Sequence, residues 1–184
     1  MRGFHHLYLT GYRGSGKTSV GKQVAPHLLR PIVDLDDCIE LSAGMSIRDI
    51  FAAEGESGFR NREAKALLEI SRLAPSIVSL GGGAILRPEN RETIAATGFC
   101  IWLKASVDTI LTHINQDSTT VARRPLLTSL PPSDEVIAML RDRDPIYASV
   151  SGAVVCVDDK SIDDVANNIF AILEGRPHQK TPFR

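Results

Sequence analysis

The segment 11–18, which reads GYRGSGKT, limits the possible folds of this chain more than any other feature. It follows the apolar, β-prone stretch 4–10, and apolar residues recur at helical spacing over 20–28 after it. Glycines let several backbone N–H groups point at one anion, and the N-terminus of the following helix faces the same anion. The order strand, glycine-rich loop and helix therefore predicts a loop that binds the phosphates of a nucleoside triphosphate.

Two side chains in this loop carry the expected chemistry. Lys17 can reach the terminal phosphates as a point charge, and the hydroxyl of Thr18 can bind Mg²⁺. A glycine-rich turn that fits the pattern by chance is the alternative, and the flanking strand and helix argue against it. We predict that the nucleotide is bound by Gly14, Ser15, Gly16, Lys17, Thr18 and Ser19.

Strands and helices alternate along the rest of the chain. Further short apolar strands are predicted at 31–34, 77–80, 99–103 and 153–157. Short apolar strands separated by helices favour a parallel sheet that is covered on both faces. A length of 184 residues favours one domain, and we find no internal repeat and no interdomain linker.

Caps and breakers predict where several helices begin and end. Ser46 with Asp49, and Ser161 with Asp164, are typical of a capping box. Proline favours the first turn of a helix and glycine its end. We accordingly predict a helix from Pro88 to Gly98, a start at Ser106, chain breaks at Gly55 and Gly58 before a helix over 60–73, and a helix that ends near Asp142.

Charge and cysteine content exclude several classes of protein. The net charge of -1 and the pI of about 6.5 indicate no general surface for nucleic acid or anionic membranes. The three cysteines are odd in number and far apart, which does not suggest a disulfide framework or a zinc site. We see neither a long apolar span nor a signal-peptide pattern, so the expected location is the cytoplasm.

An acidic group follows the second predicted strand. Asp34, Asp36 and Asp37 would lie beyond the carboxyl end of that strand, where open α/β sheets bind their ligands. In an extended chain Asp34 and Asp36 would point the same way. One could orient Mg²⁺ while the other accepts a hydroxyl of the substrate; a solvated acidic turn is the alternative.

Three arginines are candidates for anion binding. Arg60, Arg124 and Arg143 would each be a surface residue if taken alone, but together they could offer guanidinium groups to a carboxylate or to phosphates. Glu63 lies three residues after Arg60, so a local ion pair is possible. The glycine triplet 81–83 follows a buried strand and is either a simple turn or a point of close backbone approach to a ligand.

Taken together, these segments closely resemble the shikimate kinase family. Each of the later segments is weak alone, but six in the right order are specific. The matching segments are Gly11 to Thr18, Asp34-Leu35-Asp36, Phe59-Arg60 with Glu63, the glycine triplet with Ser79 and Leu80 before it, Arg124-Pro125-Leu126-Leu127, and Arg143-Asp144-Pro145-Ile146-Tyr147.

The resemblance implies a three-layer α/β/α fold around a five-stranded parallel sheet, the P-loop kinase fold. It also implies Mg²⁺-dependent transfer of the ATP γ-phosphate to the 3-hydroxyl of shikimate. By position, Asp36 would be a catalytic residue that holds the reacting and neighbouring ring hydroxyls and could act as base, and Arg60, Gly82 and Arg143 would bind the shikimate carboxylate. Thr18 and Asp34 would hold the metal, while Lys17 and Arg124 would act on the transferring phosphate as catalytic residues, Arg124 also contacting ATP.

The sequence predicts a single domain over 1–176 with a lid at about 116–133 and a flexible tail at 177–184, and the resemblance implies a monomer. The family often places an arginine early in the lid to stack on adenine, but this chain has none at 117–120, and Lys160 or the backbone could substitute. Two alternatives stay open. One is another small-molecule kinase, such as a gluconate or nucleotide kinase; the other is a nucleotide-binding regulator without catalysis.

Overall fold

The computed structural model describes residues 5–116 and 131–175. Five parallel strands form one sheet in the order β2-β3-β1-β4-β5, so the strand that leads into the glycine-rich loop lies at the centre. This arrangement confirms the predicted sheet. The strands are β1 His6–Thr10, β2 Ile32–Asp34, β3 Ile77–Ser79, β4 Gly98–Lys104 and β5 Ala153–Cys156.

Helices cover both faces of the sheet. Because side chains alternate along a strand, Leu7 and Leu9 of β1 belong to one buried core while Tyr8 belongs to the other. The three-layer α/β/α fold is thus confirmed. The helices are α1 Lys17–Leu28, α2 Leu35–Ala43, α3 Ile47–Ile70, α4 Pro88–Thr97, α5 Val107–Gln116, α6 Pro132–Val150 and α7 Ile162–Leu173, with a 3-10 turn at Ala84–Leu86.

Several predicted helix ends are confirmed. Ser46 and Ser161 accept hydrogen bonds from the backbone of Asp49 and Asp164, and at Ser161 both halves of the capping box are present. Helix α4 begins at Pro88 and ends before Gly98 as predicted. No described helix combines the length and the apolar character that crossing a membrane requires.

The region after β2 differs from the prediction. Asp34 ends the strand and caps α2, because its carboxylate accepts a hydrogen bond from the backbone N–H of Asp36 at 3.0 Å. Asp36 therefore lies in the first turn of a helix, and the expectation of an extended chain over 34–36 is wrong. The helix places Asp36 at the carboxyl edge of the sheet all the same, since it begins directly after the strand.

Two helices run through residues that we expected to end or break them. In α3, Gly55 (φ 67°) interrupts the helix as predicted, but Gly58 lies inside it. The rings of Phe51 and Phe59 stack with their centres 4.7 Å apart, which packs the two sides of the Gly55 kink together. This contact offsets the roughly 1 kcal/mol that a glycine such as Gly58 costs inside a helix. Helix α6 likewise continues beyond Asp142 and through Pro145.

Packing explains why α6 tolerates a proline. Tyr147 is fully buried and stacks on Trp102 of β4 with ring centres 5.6 Å apart. Burial of a large aromatic side chain contributes on the order of 2 kcal/mol, which helps to offset the lost backbone hydrogen bond. The prediction that this helix ends near Asp142 was wrong because tertiary contacts outweighed local preference.

Candidate active site

The loop between β1 and α1 has the backbone conformation that its glycines allow. Gly11, Gly14 and Gly16 all have positive φ angles, of 143°, 80° and 80°. A Cβ on Gly11 would lie 2.5 Å from the carbonyl oxygen of Leu103, so this position requires glycine on both counts. The loop therefore continues directly from β1 and packs closely against the end of β4.

Lys17 folds back over this loop. Its Nζ donates to the carbonyl oxygens of Gly11 and Tyr12, both at 2.9 Å, and lies 3.5 Å from the Ser15 hydroxyl. The side chain is only 8% exposed. The ammonium group is thus held at the mouth of the phosphate loop, where a bound anion would meet it.

Three oxygen-bearing side chains meet where α1, β2 and β3 converge. The hydroxyl of Thr18 donates to Asp34 Oδ2 at 2.7 Å and lies 3.0 Å from Ser79 Oγ. Hard oxygen atoms of this kind suit Mg²⁺, which binds few protein groups and keeps water or phosphate oxygens as its other ligands. The residues present therefore fit the metal, although the described chain contains no cluster of three His, Cys, Asp or Glu that could bind a metal.

A cavity of about 660 Å³ opens beside these groups. It brings together many of the residues predicted from sequence. Those on its wall are Gly14, Gly16, Lys17, Thr18, Ser19, Asp34, Asp36 and Gly82, together with residues to which the sequence assigned no individual role: Arg13, Lys22, Asp37, Ser79, Leu80, Gly81, His113, Gln116 and Ile162. Ser15 of the loop is buried and does not line the cavity.

Arg60 reaches the glycine triplet from α3. Its guanidinium donates to Glu63 Oε2 at 2.8 Å and to Glu56 Oε1 at 3.1 Å, and the residue is 7% exposed. Burial alone would lower the pKa of Arg60, but the charges and hydrogen bonds of Glu63 and Glu56 raise it overall. A Cβ on Gly83 would lie 2.5 Å from this guanidinium, so the absence of a side chain there makes room for Arg60.

Arg143 reaches the same triplet from α6. Its Nη1 lies 3.5 Å from the carbonyl oxygen of Gly82, and the hydroxyl of Tyr147 donates a short hydrogen bond to that oxygen. Burial raises the pKa of Tyr147 well above its ordinary value, so it stays a neutral donor. Arg60 and Arg143 are not part of the cavity wall, but both converge on glycines beside it.

The glycine triplet is therefore a point of close approach within the protein, while the interpretation that it approaches a ligand stays a prediction. The groups that approach are side chains of the protein itself and the phosphate loop. A Cβ on Gly82 would lie 3.4 Å from the backbone nitrogen of Arg13. Arg124, most of the predicted lid and the tail 177–184 lie outside the described residues.

Sequence reasoning missed several residues around the cavity. Ser79 was visible as the last residue of a buried strand, at the edge where ligands bind. His113 gave no such signal, yet its Nδ1 lies 2.7 Å from the carbonyl oxygen of Gly14. Lys160, which we considered for adenine, donates to the carbonyl oxygen of Cys156 at 2.7 Å.

The phosphate loop lies at the carboxyl edge of a five-stranded parallel sheet, beside side-chain oxygens that suit Mg²⁺. This combination defines a P-loop kinase. Comparison with known proteins narrows this class. The family model described as shikimate kinase matches residues 13–174. This chain belongs to the shikimate kinase family.

Individual relatives agree with that assignment. The shikimate kinase of Rhodopirellula baltica is 44% identical over 164 residues, which cover 89% of this chain and 88% of the relative. That of Symbiobacterium thermophilum is 41% identical, with 93% and 97% covered. The structure of shikimate kinase from Acinetobacter baumannii in complex with shikimate is similar with a TM-score of 0.87 and 34% identity, covering 95% of this chain and 96% of that one.

Proposed function

We propose that this chain transfers the γ-phosphate of ATP to the 3-hydroxyl of shikimate. The observation that carries the proposal is one cavity with two different ends. The phosphate loop with Lys17 and Thr18 forms the donor end, and Asp36 with the glycine triplet forms the acceptor end, backed by two buried arginines. Family membership and the likeness to a relative solved with shikimate support it.

At the acceptor end, Asp36 would orient the attacking hydroxyl. It lies in the first turn of α2 and is held there by the hydrogen bond between its N–H and Asp34. An ordinary carboxylate is a weak base towards an alcohol. Positioning of the hydroxyl should therefore be its first contribution, and acceptance of the proton the second.

Arg60 and Arg143 would bind the carboxylate of shikimate. A guanidinium fork matches the geometry of a carboxylate, and both side chains are more than nine-tenths buried, which strengthens charge pairing. Glu63 and Glu56 fix the orientation of Arg60 in advance. Gly82 would allow the substrate to approach the backbone between the two arginines.

At the donor end, ATP would lie on residues 14–19. Thr18 and Asp34 would hold Mg²⁺, which when bound neutralises charge on the phosphate oxygens. Lys17 would leave the carbonyl groups it now contacts and follow the transferring phosphate. Arg124, from the lid segment, is proposed to act on the same phosphate.

The decisive experiment measures ADP release with ATP and Mg²⁺, in the presence and absence of shikimate. We expect release that depends on shikimate and saturates with it. Gluconate and nucleoside monophosphates serve as control acceptors. Turnover with either control but not with shikimate would replace the proposal with another small-molecule kinase, and nucleotide binding without any turnover would favour a regulator.

We also propose an oligomeric state and a cellular location for this protein. A monomer is expected, and light scattering during gel filtration would test it. A cytoplasmic location fits three unpaired cysteines, since such thiols persist in reducing compartments. Fractionation of the source cells would test that location.

A further inference from the structure

Arg13 of the phosphate loop contacts a distant part of the chain. It lies on the wall of the cavity, and its Nη2 donates to Oε1 of Glu135 at 2.9 Å. Glu135 is fully buried and lies in the first turn of α6. The loop that faces the nucleotide is therefore fastened to the beginning of another helix, 122 residues further along the chain.

The same helix carries the acceptor contacts. Arg143 follows Glu135 by eight residues, which corresponds to about 12 Å along the helix axis. Further along, Tyr147 donates to Gly82. Val136 belongs to the core on one face of the sheet and Tyr147 to the core on the other, so α6 passes from one layer to the other. Helix α6 thus joins the donor loop to the glycine triplet.

Because Glu135 is buried, its contact with Arg13 limits the positions that α6 can take. A carboxylate withdrawn from water is costly unless charged or polar partners surround it, so Glu135 strongly favours the position of α6 that keeps the guanidinium within reach. Removal of one partner from such a pair is strongly disfavoured. The start of α6 is therefore held to the loop by a contact that tolerates little displacement.

The pair also compensates one of two like charges that lie near a shared ring. The guanidinium carbons of Arg13 and Arg143 lie 5.7 and 5.8 Å from the centre of the Tyr12 ring. Two cations against one ring would repel each other at close range. Glu135 compensates the charge of Arg13, which leaves the charge of Arg143 for an anionic substrate.

We propose that Arg13 and Glu135 are a positioning pair that fixes α6 so that Arg143 meets the acceptor. The proposal rests on the proposed function, because it assigns Arg143 to the carboxylate of that acceptor. It predicts that a substitution in the donor loop changes affinity for the acceptor. It also predicts that Glu135, which does not line the cavity, matters for that affinity as much as Arg13 does.

A mutant cycle tests the pair. The variants are Arg13→Gln, Glu135→Gln and both together, and the measurements are kcat, KM for shikimate, KM for ATP and the melting temperature. We expect each single variant to raise the shikimate KM roughly tenfold, within the coupling range of contacting residues, while the KM for ATP stays within about twofold. The double variant should be no worse than the worse single variant.

Three further variants complete the design. Arg13→Lys keeps a cation opposite Glu135 and should recover most of the shikimate affinity that Arg13→Gln loses. The matched control removes the ion pair of Arg62 with Glu54, which lies on the surface at 2.7 Å with both side chains about one-third exposed. Arg62→Gln and Glu54→Gln should leave both KM values unchanged.

The outcomes are distinct. Additive effects in the cycle would overturn the proposal. A normal shikimate KM for Glu135→Gln together with a raised shikimate KM for Arg13→Gln would also overturn it, because Arg13 would then act by touching the substrate. Equal rises in both KM values with a lower melting temperature would indicate a structural role only. If Glu135→Gln does not fold, Arg13→Lys with affinity as poor as Arg13→Gln would still contradict it. Absence of shikimate-dependent turnover in the unaltered protein would instead refute the proposed function.

Discussion

The two ends of the cavity are built in different ways. The donor end comes from one short segment, in which glycine conformations and the start of α1 arrange Lys17 and Thr18. The acceptor end is assembled from α2, α3, α6 and the glycine triplet, which are far apart in sequence. A local element depends on a few dihedral angles, whereas an assembled one depends on packing across the whole sheet. Damage at the donor end should therefore abolish chemistry. At the acceptor end, damage to the arginines and glycines should mainly weaken binding, whereas loss of Asp36, which holds the reacting hydroxyl, should lower kcat.

The largest effect is expected at Lys17. Lys17→Met removes the ammonium group that the loop holds at its mouth. Loss of one charge-stabilising group from a phosphoryl-transfer site costs roughly 1,000-fold in kcat. Steady-state ADP release at saturating substrates measures it, with the melting temperature as a control for folding. A loss below about tenfold would show that the donor end does not depend on this residue.

Asp36→Asn should have the next largest effect. The amide keeps the size of the side chain but holds the hydroxyl less well and cannot accept its proton, so we expect kcat to fall by about 100-fold. Nucleotide affinity should change little, since the donor loop is untouched. Titration of ATP by calorimetry supplies that comparison. Turnover close to that of the unaltered protein would remove Asp36 from the acceptor end.

Arg143→Lys should weaken binding without abolishing turnover. A lysine keeps the charge but not the planar fork, so the KM for shikimate should rise about tenfold while ATP affinity holds. Initial rates at varied shikimate give the KM. An unchanged value would contradict a carboxylate contact and would place Arg143 in a purely structural role beside Gly82.

Gly83→Ala is a smaller change at the same end. The backbone of Gly83 accepts any residue at φ -108°, so the only cost is the approach of the new methyl group to the Arg60 guanidinium. A small displacement of that guanidinium should raise the shikimate KM about threefold, which corresponds to roughly 0.7 kcal/mol of binding free energy. Gly44→Ala is a control away from any neighbour, where stability alone should respond because φ is 67°.

The difference between the local donor end and the assembled acceptor end also explains what the sequence could predict. The phosphate loop and the alternation of strands and helices along the chain follow from local patterns, so both were available from the residues alone. Local alternation predicts that Asp34 and Asp36 share one side of an extended chain, whereas Asp34 in fact caps the helix in which Asp36 lies. The contact of Arg13 with Glu135 had no sequence signal at all, because 122 residues separate the partners and only the packed sheet brings them together.

The smallest effect lies outside both ends and concerns stability. His6 of β1 is fully buried, with Nδ1 2.9 Å from Ser76 Oγ and Nε2 3.3 Å from the carbonyl oxygen of Ser71. Burial is the main cause that lowers its pKa below the ordinary 6.5. The folded state therefore favours neutral His6, while the unfolded chain takes up a proton as the pH falls through 6.5. Stability from this residue is fully present above that value and decreases as the pH falls towards the folded pKa.

Melting temperatures between pH 7.5 and 5 test this expectation. The unaltered protein should lose stability across that range, and His6→Gln, which cannot be protonated, should show a shallower slope although it is less stable at pH 7.5. His27→Gln is the control, because His27 is exposed and lies in α1 rather than β1, whereas His5 contacts the His6 ring. Parallel curves for His6→Gln and the unaltered protein would show that other groups cause the acid loss. Because His6 lies at the opposite end of β1 from the phosphate loop, kcat at saturating substrates should be the same for both proteins at pH 7.5.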